Sequence, residues 1–314
     1  MDGVTLARSL LSQSTMPDIS SVVNGSVIGY IISLVLLGIS IVQSWVYAHN
    51  NHDRWPLRTF VTLLVLLDIT ETFCATYIVH HYLISNFGEI EALETPIDVT
   101  SVDFAITSIM FFMVHLFFAR RLWMLGRSWW LPAVIATTST AMLALGASAV
   151  SSQLLGGPTL GSDLKHRIMI ESALCHALGV VTDILVTVGL SRTLSMTHTD
   201  LKNTQLVIHR ILYFTVTRGI LVCLVQIGHV AMYILDPENI LFWVSLYLIL
   251  TKLYVVTTLV TLNSRRSLTA TLDNAVISTG DFHLSFARST SPHADSVNEA
   301  EIDCDKRTII LPEG

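Results

Sequence analysis

Seven long apolar stretches constrain this chain more than any other feature of its sequence. A transmembrane helix needs about 20 mostly apolar residues to cross the hydrocarbon layer of a bilayer. Each of the seven stretches has that length and is bounded by polar or turn-forming residues. The sequence therefore predicts an all-α, polytopic membrane protein, a seven-transmembrane-helix bundle, with spans at 22–47, 57–82, 100–119, 130–153, 168–190, 211–235 and 240–262.

The composition excludes most soluble classes of protein. Hydrophobic residues make up 52% of the chain and charged residues only 13%, whereas a soluble domain has about 25% charged residues. The net charge of -6 gives no basic surface for nucleic acid. Glycine-rich phosphate loops, nucleophile elbows and closely spaced metal ligands are also missing from the sequence. We expect no enzymatic activity, no cofactor, no metal ion and no nucleic-acid partner.

The basic residues predict the orientation of the bundle. Cytosolic loops of membrane proteins carry an excess of Lys and Arg. One set of alternating connections holds only Arg8, Lys165 and Arg167. We therefore expect the N-terminus outside and the C-terminus in the cytosol. A separate expectation is that the protein resides in the plasma membrane rather than in an internal membrane. The opposite set of connections, which we take as cytosolic, holds Arg54, Arg58, Arg120, Arg121, Arg127, Arg192, Lys202, Arg210, Arg265 and Arg266.

The seven spans leave room for only two further regions. Residues 1–21 are expected to form a short extracytosolic tail, residues 22–262 the transmembrane domain, and residues 263–314 a cytosolic tail. The C-terminal tail is polar and rich in Ser and Thr, which predicts that it is largely disordered. The connections between spans are too short for a folded domain, which usually needs at least about 50 residues.

Five charged residues lie deep inside the predicted spans and are the candidate functional residues, because a charge at that depth is costly and often functional. At 1.5 Å per residue, four of them lie about 12–15 Å from the cytosolic boundary, and Glu71 lies one turn further out. Equal depth predicts that Asp68 pairs with Lys252 and Asp183 with Arg218. The residues serve either as structural ion pairs or as a functional polar layer, and the sequence leaves both interpretations open. The five are Asp68, Glu71, Asp183, Arg218 and Lys252.

Histidine is the other notable residue type, with twelve in the chain. His176 and His229 lie in the predicted outer halves of the fifth and sixth spans, where they could meet near Glu171. His80 and His81 end the second span. Because the usual spacings of zinc ligands are absent, we expect interfacial histidines rather than a metal site.

Several motifs in the second half of the chain resemble one known family. They read Phe-Phe-Ala-Arg-Arg-Leu-Trp at 117–123, Thr-Asp-Ile-Leu-Val-Thr at 182–187, His-Arg-Ile-Leu-Tyr-Phe-Thr-Val-Thr at 209–217, Lys-Leu-Tyr at 252–254 and Thr-Leu-Asn-Ser-Arg at 261–265.

The chain is similar to a fungal, basidiomycete family of seven-span membrane proteins known only as domain of unknown function 6534. The resemblance implies the fold and the membrane location but no activity. Two residues depart from the pattern: His115 stands where Gln is expected, and Arg218 where Gly is expected. The family-motif positions are Arg120, Arg121, Tyr254, Asn263 and Arg265.

Seven spans, short connections and a Ser/Thr-rich tail are typical of a receptor-like or sensor bundle, although the fold alone does not assign a function. The alternative is a small-solute or proton-linked transporter that uses the charged layer. A retinal protein is a third interpretation, since Lys252 lies mid-span, but Leu248 stands where an acidic residue would be expected. The expected partners are the lipid bilayer and an unknown small ligand or cytosolic protein.

The orientation can be tested with tags at the two termini. We expect an N-terminal tag on intact cells to bind antibody without permeabilisation, and a C-terminal tag to bind only after permeabilisation. The reverse pattern would contradict the count of basic residues.

Overall fold

The computed structural model of the protein describes residues 19–50, 53–86, 97–126, 129–156, 162–195, 202–235 and 243–264. These ranges form helices and no strand. A π-helical turn, His81–Ser85, extends the second helix. The helices are α1 (Ile19–Asn50), α2 (Trp55–His80), α3 (Asp98–Leu125), α4 (Trp130–Gly156), α5 (Ser162–Ser195), α6 (Lys202–Leu235) and α7 (Trp243–Ser264).

The predicted all-α, seven-span architecture is confirmed. Each predicted span overlaps one described helix, and all seven helices contain a stretch that is long and apolar enough to cross a bilayer. Residues 240–242 of the last predicted span lie outside the described ranges. The helices are longer than the apolar segments: α5 begins at Ser162 rather than at residue 168, and α6 at Lys202 rather than at residue 211. Polar residues can continue a helix beyond the hydrocarbon layer, so the end of an apolar segment does not mark the end of the helix.

The two predicted tails lie mainly outside the described residues. Residues 19–21 of the predicted N-terminal tail belong to α1, and residues 263–264 of the predicted C-terminal tail end α7. Residues 1–18 and 265–314 are outside the described ranges.

Large apolar side chains cover the outside of the bundle. On α1, Ile28, Val35 and Val42 are all exposed, and their spacing of seven residues places them on one helical face. Trp45 and Trp123 are exposed near helix ends, as expected for aromatic side chains at a membrane interface. Apolar residues outside and polar residues inside are the arrangement that a lipid environment favours.

Helix α7 lies among the other helices. In an 18-residue apolar stretch of α7, 67% of the residues are buried, against 17% in the corresponding stretch of α6. Near one end, Ser245 Oγ donates a hydrogen bond to the carbonyl of Gly25 at 2.8 Å. Near the other end, Asn263 Nδ2 donates to the carbonyl of Gln43 at 2.8 Å. Helix α7 is therefore held against α1 at both ends.

Gly29 allows this close approach of α1 to α7. A Cβ atom at Gly29 would lie 2.5 Å from Ser245 Cβ and 2.7 Å from Ser245 Cα, which is backbone. At Gly38, on the same helix, an added Cβ would have no atom within 4 Å.

Gly29→Ala is therefore expected to destabilise the bundle, because overpacking typically costs about 1–3 kcal/mol. Gly38→Ala is the matched control and should be neutral or stabilising by up to about 1 kcal/mol, through helix propensity. Thermal unfolding of the purified protein in detergent measures both. Equal melting temperatures for the two variants would contradict the tight α1–α7 contact.

Candidate functional site

A lysine cluster joins α7 to α2 inside the bundle; it consists of Asp68, Glu71, Thr72 and Lys252. Lys252 Nζ donates hydrogen bonds to the backbone oxygen and to Oδ1 of Asp68, both at 2.9 Å. It also donates to Thr72 Oγ1 at 2.6 Å and to Glu71 Oε2. The acceptors share one face of α2, because residues three and four apart are neighbours on a helix. The expected pairing of Asp68 with Lys252 is present, and Glu71 shares the same lysine.

The cluster is closed to solvent. Lys252 is 1% exposed, and Asp68 and Glu71 are 0% exposed. A charge removed from water in this way is tolerated only when it is paired and hydrogen-bonded. The ammonium group has three N–H donors and faces four acceptor oxygens. Acceptors therefore outnumber donors.

The predicted pairing of Asp183 with Arg218 is wrong. Arg218 instead donates to two hydroxyl groups of α7, from Nε to Thr257 at 2.9 Å and from Nη2 to Thr258 at 3.4 Å. Its guanidinium also lies 3.8 Å from the ring centroid of Phe118. Asp183 and Arg218 line one small cavity but make no direct ion pair. Equal depth placed them in the same layer, but it did not fix the direction in which each side chain points.

Asp183 belongs to a second group, the tyrosine cluster, formed by His115, Asp183, Gln226 and Tyr254. His115 Nε2 lies 3.2 Å from Asp183 Oδ1, and the hydroxyl of Tyr254 bonds to Asp183 Oδ2. The same hydroxyl lies 2.9 Å from Gln226 Oε1. A phenol carries one proton, so Tyr254 donates to only one of these two acceptors at a time. The cluster connects α3, α5, α6 and α7.

Asp103 is a further buried carboxyl, which the sequence analysis did not select as a site residue. It lies inside α3, is 4% exposed and accepts a hydrogen bond at Oδ2 from the hydroxyl of Tyr247 at 3.1 Å. Asp103 also lies within electrostatic range of Glu71 and Lys252. Because α3 begins at Asp98 rather than at residue 100, Asp103 falls on the second turn of the helix. The sequence did contain a signal for Asp103: it is an acidic residue inside a predicted span, and its neighbours are apolar.

The predicted approach of His176 and His229 is present. Their ring centroids lie 4.4 Å apart, and we call them the histidine pair. Glu171 does not join them in a hydrogen bond and instead pairs with Arg167 at 2.9 Å. Tyr247 lies beside both histidines, with ring centroids 6.3 Å from His176 and 6.0 Å from His229.

The remaining histidines of the prediction lie elsewhere. His80 is 3.4 Å from the hydroxyl of Ser85, and His81 is 3.1 Å from the amide of Asn86. Within the part of the chain that the structure describes, no three His, Cys, Asp or Glu side chains are grouped to hold a metal ion.

The family-motif positions have different surroundings. Asn263 bonds both the backbone and the side chain of Gln43, and Tyr254 centres the tyrosine cluster. Arg120 is exposed, and Arg121 is partly buried within electrostatic range of Arg218. Arg265 lies outside the described residues.

The comparison with known families agrees with the resemblance read from the motifs. Residues 179–267 match a family of unknown function (DUF6534). The matched part holds Asp183, Arg218 and Lys252, whereas Asp68 and Glu71 lie before it. No curated protein and no solved structure matches the chain.

Lys252→Met should destabilise the protein strongly, because it leaves Asp68 and Glu71 without their cation. Breaking a buried pair costs about 3–5 kcal/mol in soluble proteins, and membrane interactions are often weaker. Adding Asp68→Asn and Glu71→Gln removes the stranded charges and should restore part of the loss, measured as melting temperature in detergent. Lys165→Met changes an exposed lysine and should have little effect. Strictly additive losses in the triple variant would show that the three residues are not coupled.

Proposed function

We propose that the protein is a receptor-like or sensor seven-helix bundle in which α7 transmits a change from one end of the bundle to the other. The observation that carries the proposal is the bonding of α7. Its side chains bond to α1 through Asn263, to α2 through Lys252, to α3 through Tyr247, and to α5 and α6 through Tyr254. A displacement of this one helix alters bonds with five neighbours.

A sensor needs an element with two arrangements whose equilibrium a ligand can bias. Lys252 directs three donors to four acceptors on α2, and the single proton of Tyr254 has two acceptors, Asp183 and Gln226. A small movement of α7 can exchange these partners without leaving the helix unbonded. This choice of partners supports two alternative positions of α7 within the bundle.

The course of the helices also supports a sensor over a carrier. Transporters with binding sites at mid-membrane usually interrupt helices there, often at Pro or Gly. Of the prolines in the described ranges, Pro56 and Pro132 lie in the first turns of α2 and α4. The described helices continue unbroken past the lysine and tyrosine clusters.

A small-solute or proton-linked transporter is the second candidate. It is favoured by one observation: three buried carboxyls, those of Asp68, Glu71 and Asp103, lie around the single ammonium of Lys252. Carriers that couple to protons use such acidic groups inside the membrane.

The seven spans make the chain an integral, multi-pass membrane protein in a lipid bilayer. The proposal adds the plasma membrane as its location and a small ligand or a cytosolic protein as its partner. It assigns no enzymatic activity.

The proposal predicts two conformations that depend on Lys252. Spin labels at Trp45→Cys and Trp123→Cys, both at exposed positions near helix ends, report the distance between α1 and α3 once the four native cysteines are replaced. We expect two distance populations in the otherwise native chain and a changed ratio in Lys252→Met, because the bonds that hold α7 differ. Lys165→Met should leave the ratio unchanged.

Proteoliposomes separate the sensor from the carrier. A sensor takes up no solute, and a proton gradient across the vesicle produces no flux above that of empty vesicles. A single distance population, together with flux that is lost in Lys252→Met, would replace the sensor by the carrier.

A further inference from the structure

The interior of the bundle contains more carboxyl groups than cations around Lys252. Asp68 and Glu71 contact the ammonium directly, and Asp103 lies within electrostatic range of it. Fully ionised, these three acids and one base would leave two uncompensated negative charges away from water. Such an excess is not stable in an apolar surrounding, where an isolated carboxylate takes up a proton instead.

Three carboxyl oxygens of the group, one on each acid, also have no hydrogen-bond partner among the described residues. They are Asp68 Oδ2, Glu71 Oε1 and Asp103 Oδ1, all fully enclosed. A buried oxygen that accepts no bond is costly for a carboxylate and much less so for a neutral carboxylic acid. The bonding and the charge count therefore point to the same ligand, the proton.

We propose that Glu71, Asp68 and Asp103 form a proton-binding site that holds two protons at neutral pH, one on Asp103 and one shared by Asp68 and Glu71 beside Lys252. The protons come from water, and their binding makes the cluster electrically neutral. The inference holds whether the bundle acts as a sensor or as a carrier.

Four further titratable side chains from α2, α5, α6 and α7 lie near this site: Cys74, His176, His229 and Tyr247. Helix α2 adds Cys74, within electrostatic range of Asp103 and Glu71, and α7 adds Tyr247, which bonds Asp103. Helices α5 and α6 contribute the histidine pair, whose rings lie next to Tyr247. Helix α1 contributes Tyr30, whose hydroxyl bonds Thr76 at 2.7 Å, and α4 has no ionisable residue.

Tyr247 and the histidine pair connect the site with the end of the bundle where α2 ends and α3 begins. Neither ring nitrogen of His229 has a hydrogen-bond partner within the described ranges, although the side chain is 0% exposed. A neutral imidazole can accept a proton at one nitrogen and release it from the other. Asp103, Tyr247 and His229 thus form a line of titratable groups toward that end: Asp103 and Tyr247 are hydrogen-bonded, and the rings of Tyr247 and His229 lie 6.0 Å apart.

Infrared spectroscopy of the full-length protein in lipid nanodiscs tests the site. Protonated carboxyl groups give a carbonyl-stretch band that carboxylates lack, and exposed acids are ionised at neutral pH. We expect this band in the native protein, with a shift in one part of it when aspartate is carbon-13 labelled. Asp103→Asn should reduce the band to about half, and Asp98→Asn, at an exposed position on the same helix, should leave it unchanged.

Two results would overturn the site. One is the absence of the band from the native protein at neutral pH, a measurement that needs no variant to fold. The other is an unchanged band in Asp103→Asn. Thermal stability tests the site independently. Raising the pH removes the bound protons and leaves negative charge buried, so the melting temperature should fall as the pH rises. The fall should be less steep in Asp103→Asn. Equal slopes in the two proteins would also contradict the site.

Discussion

The ammonium group of Lys252 is the charge on which the packing of α7 depends. It lies 1% exposed in an apolar bundle and finds all its acceptors on one face of α2. A shift of α7 along its axis by one turn, about 5.4 Å, would separate the group from these oxygens. Because an unpaired ammonium is far less stable there than a bonded one, the lysine fixes the register of α7 against α2. Ser245 and Asn263 then fix the two ends of the same helix against α1.

The sequence predicted the helices well because lipid imposes a simple requirement. Every backbone polar group in the hydrocarbon layer must be bonded within the chain, so a long apolar stretch has few alternatives to a helix. It also predicted the Asp68–Lys252 contact, because each residue lies ten positions from the cytosolic end of its predicted span, Asp68 from Arg58 and Lys252 from Leu262. Depth gives only one coordinate. It could not show that Arg218 turns toward Thr257 and Thr258 while Asp183 faces His115 and Tyr254.

The other residues that sequence reasoning missed share a second cause. Asp103 lies close to the start of its span, where an acid is usually taken as a boundary, but α3 is already two residues longer at that end. Its partner Tyr247 comes 144 residues later. No local pattern connects two such positions, since their contact depends on how α3 and α7 pack. The histidine pair was easier to anticipate because both residues lie at similar depths in consecutive helices.

The family match begins within α5 and includes α6 and α7. It leaves out α2 and α3, which the charged residues of the matched part contact. Lys252 finds its acceptors on α2, and Asp183 bonds His115 of α3, so the charged residues within 179–267 depend on helices outside that range. The two clusters also differ in charge. Asp183 shares its cavity with Arg218, one acid with one base, whereas Lys252 faces an excess of acids. An exchangeable proton is therefore better accommodated near Lys252 than near Asp183. Any signal carried by protons would act first on the bonds between α2, α3 and α7, and would reach the tyrosine cluster only through movement of α7.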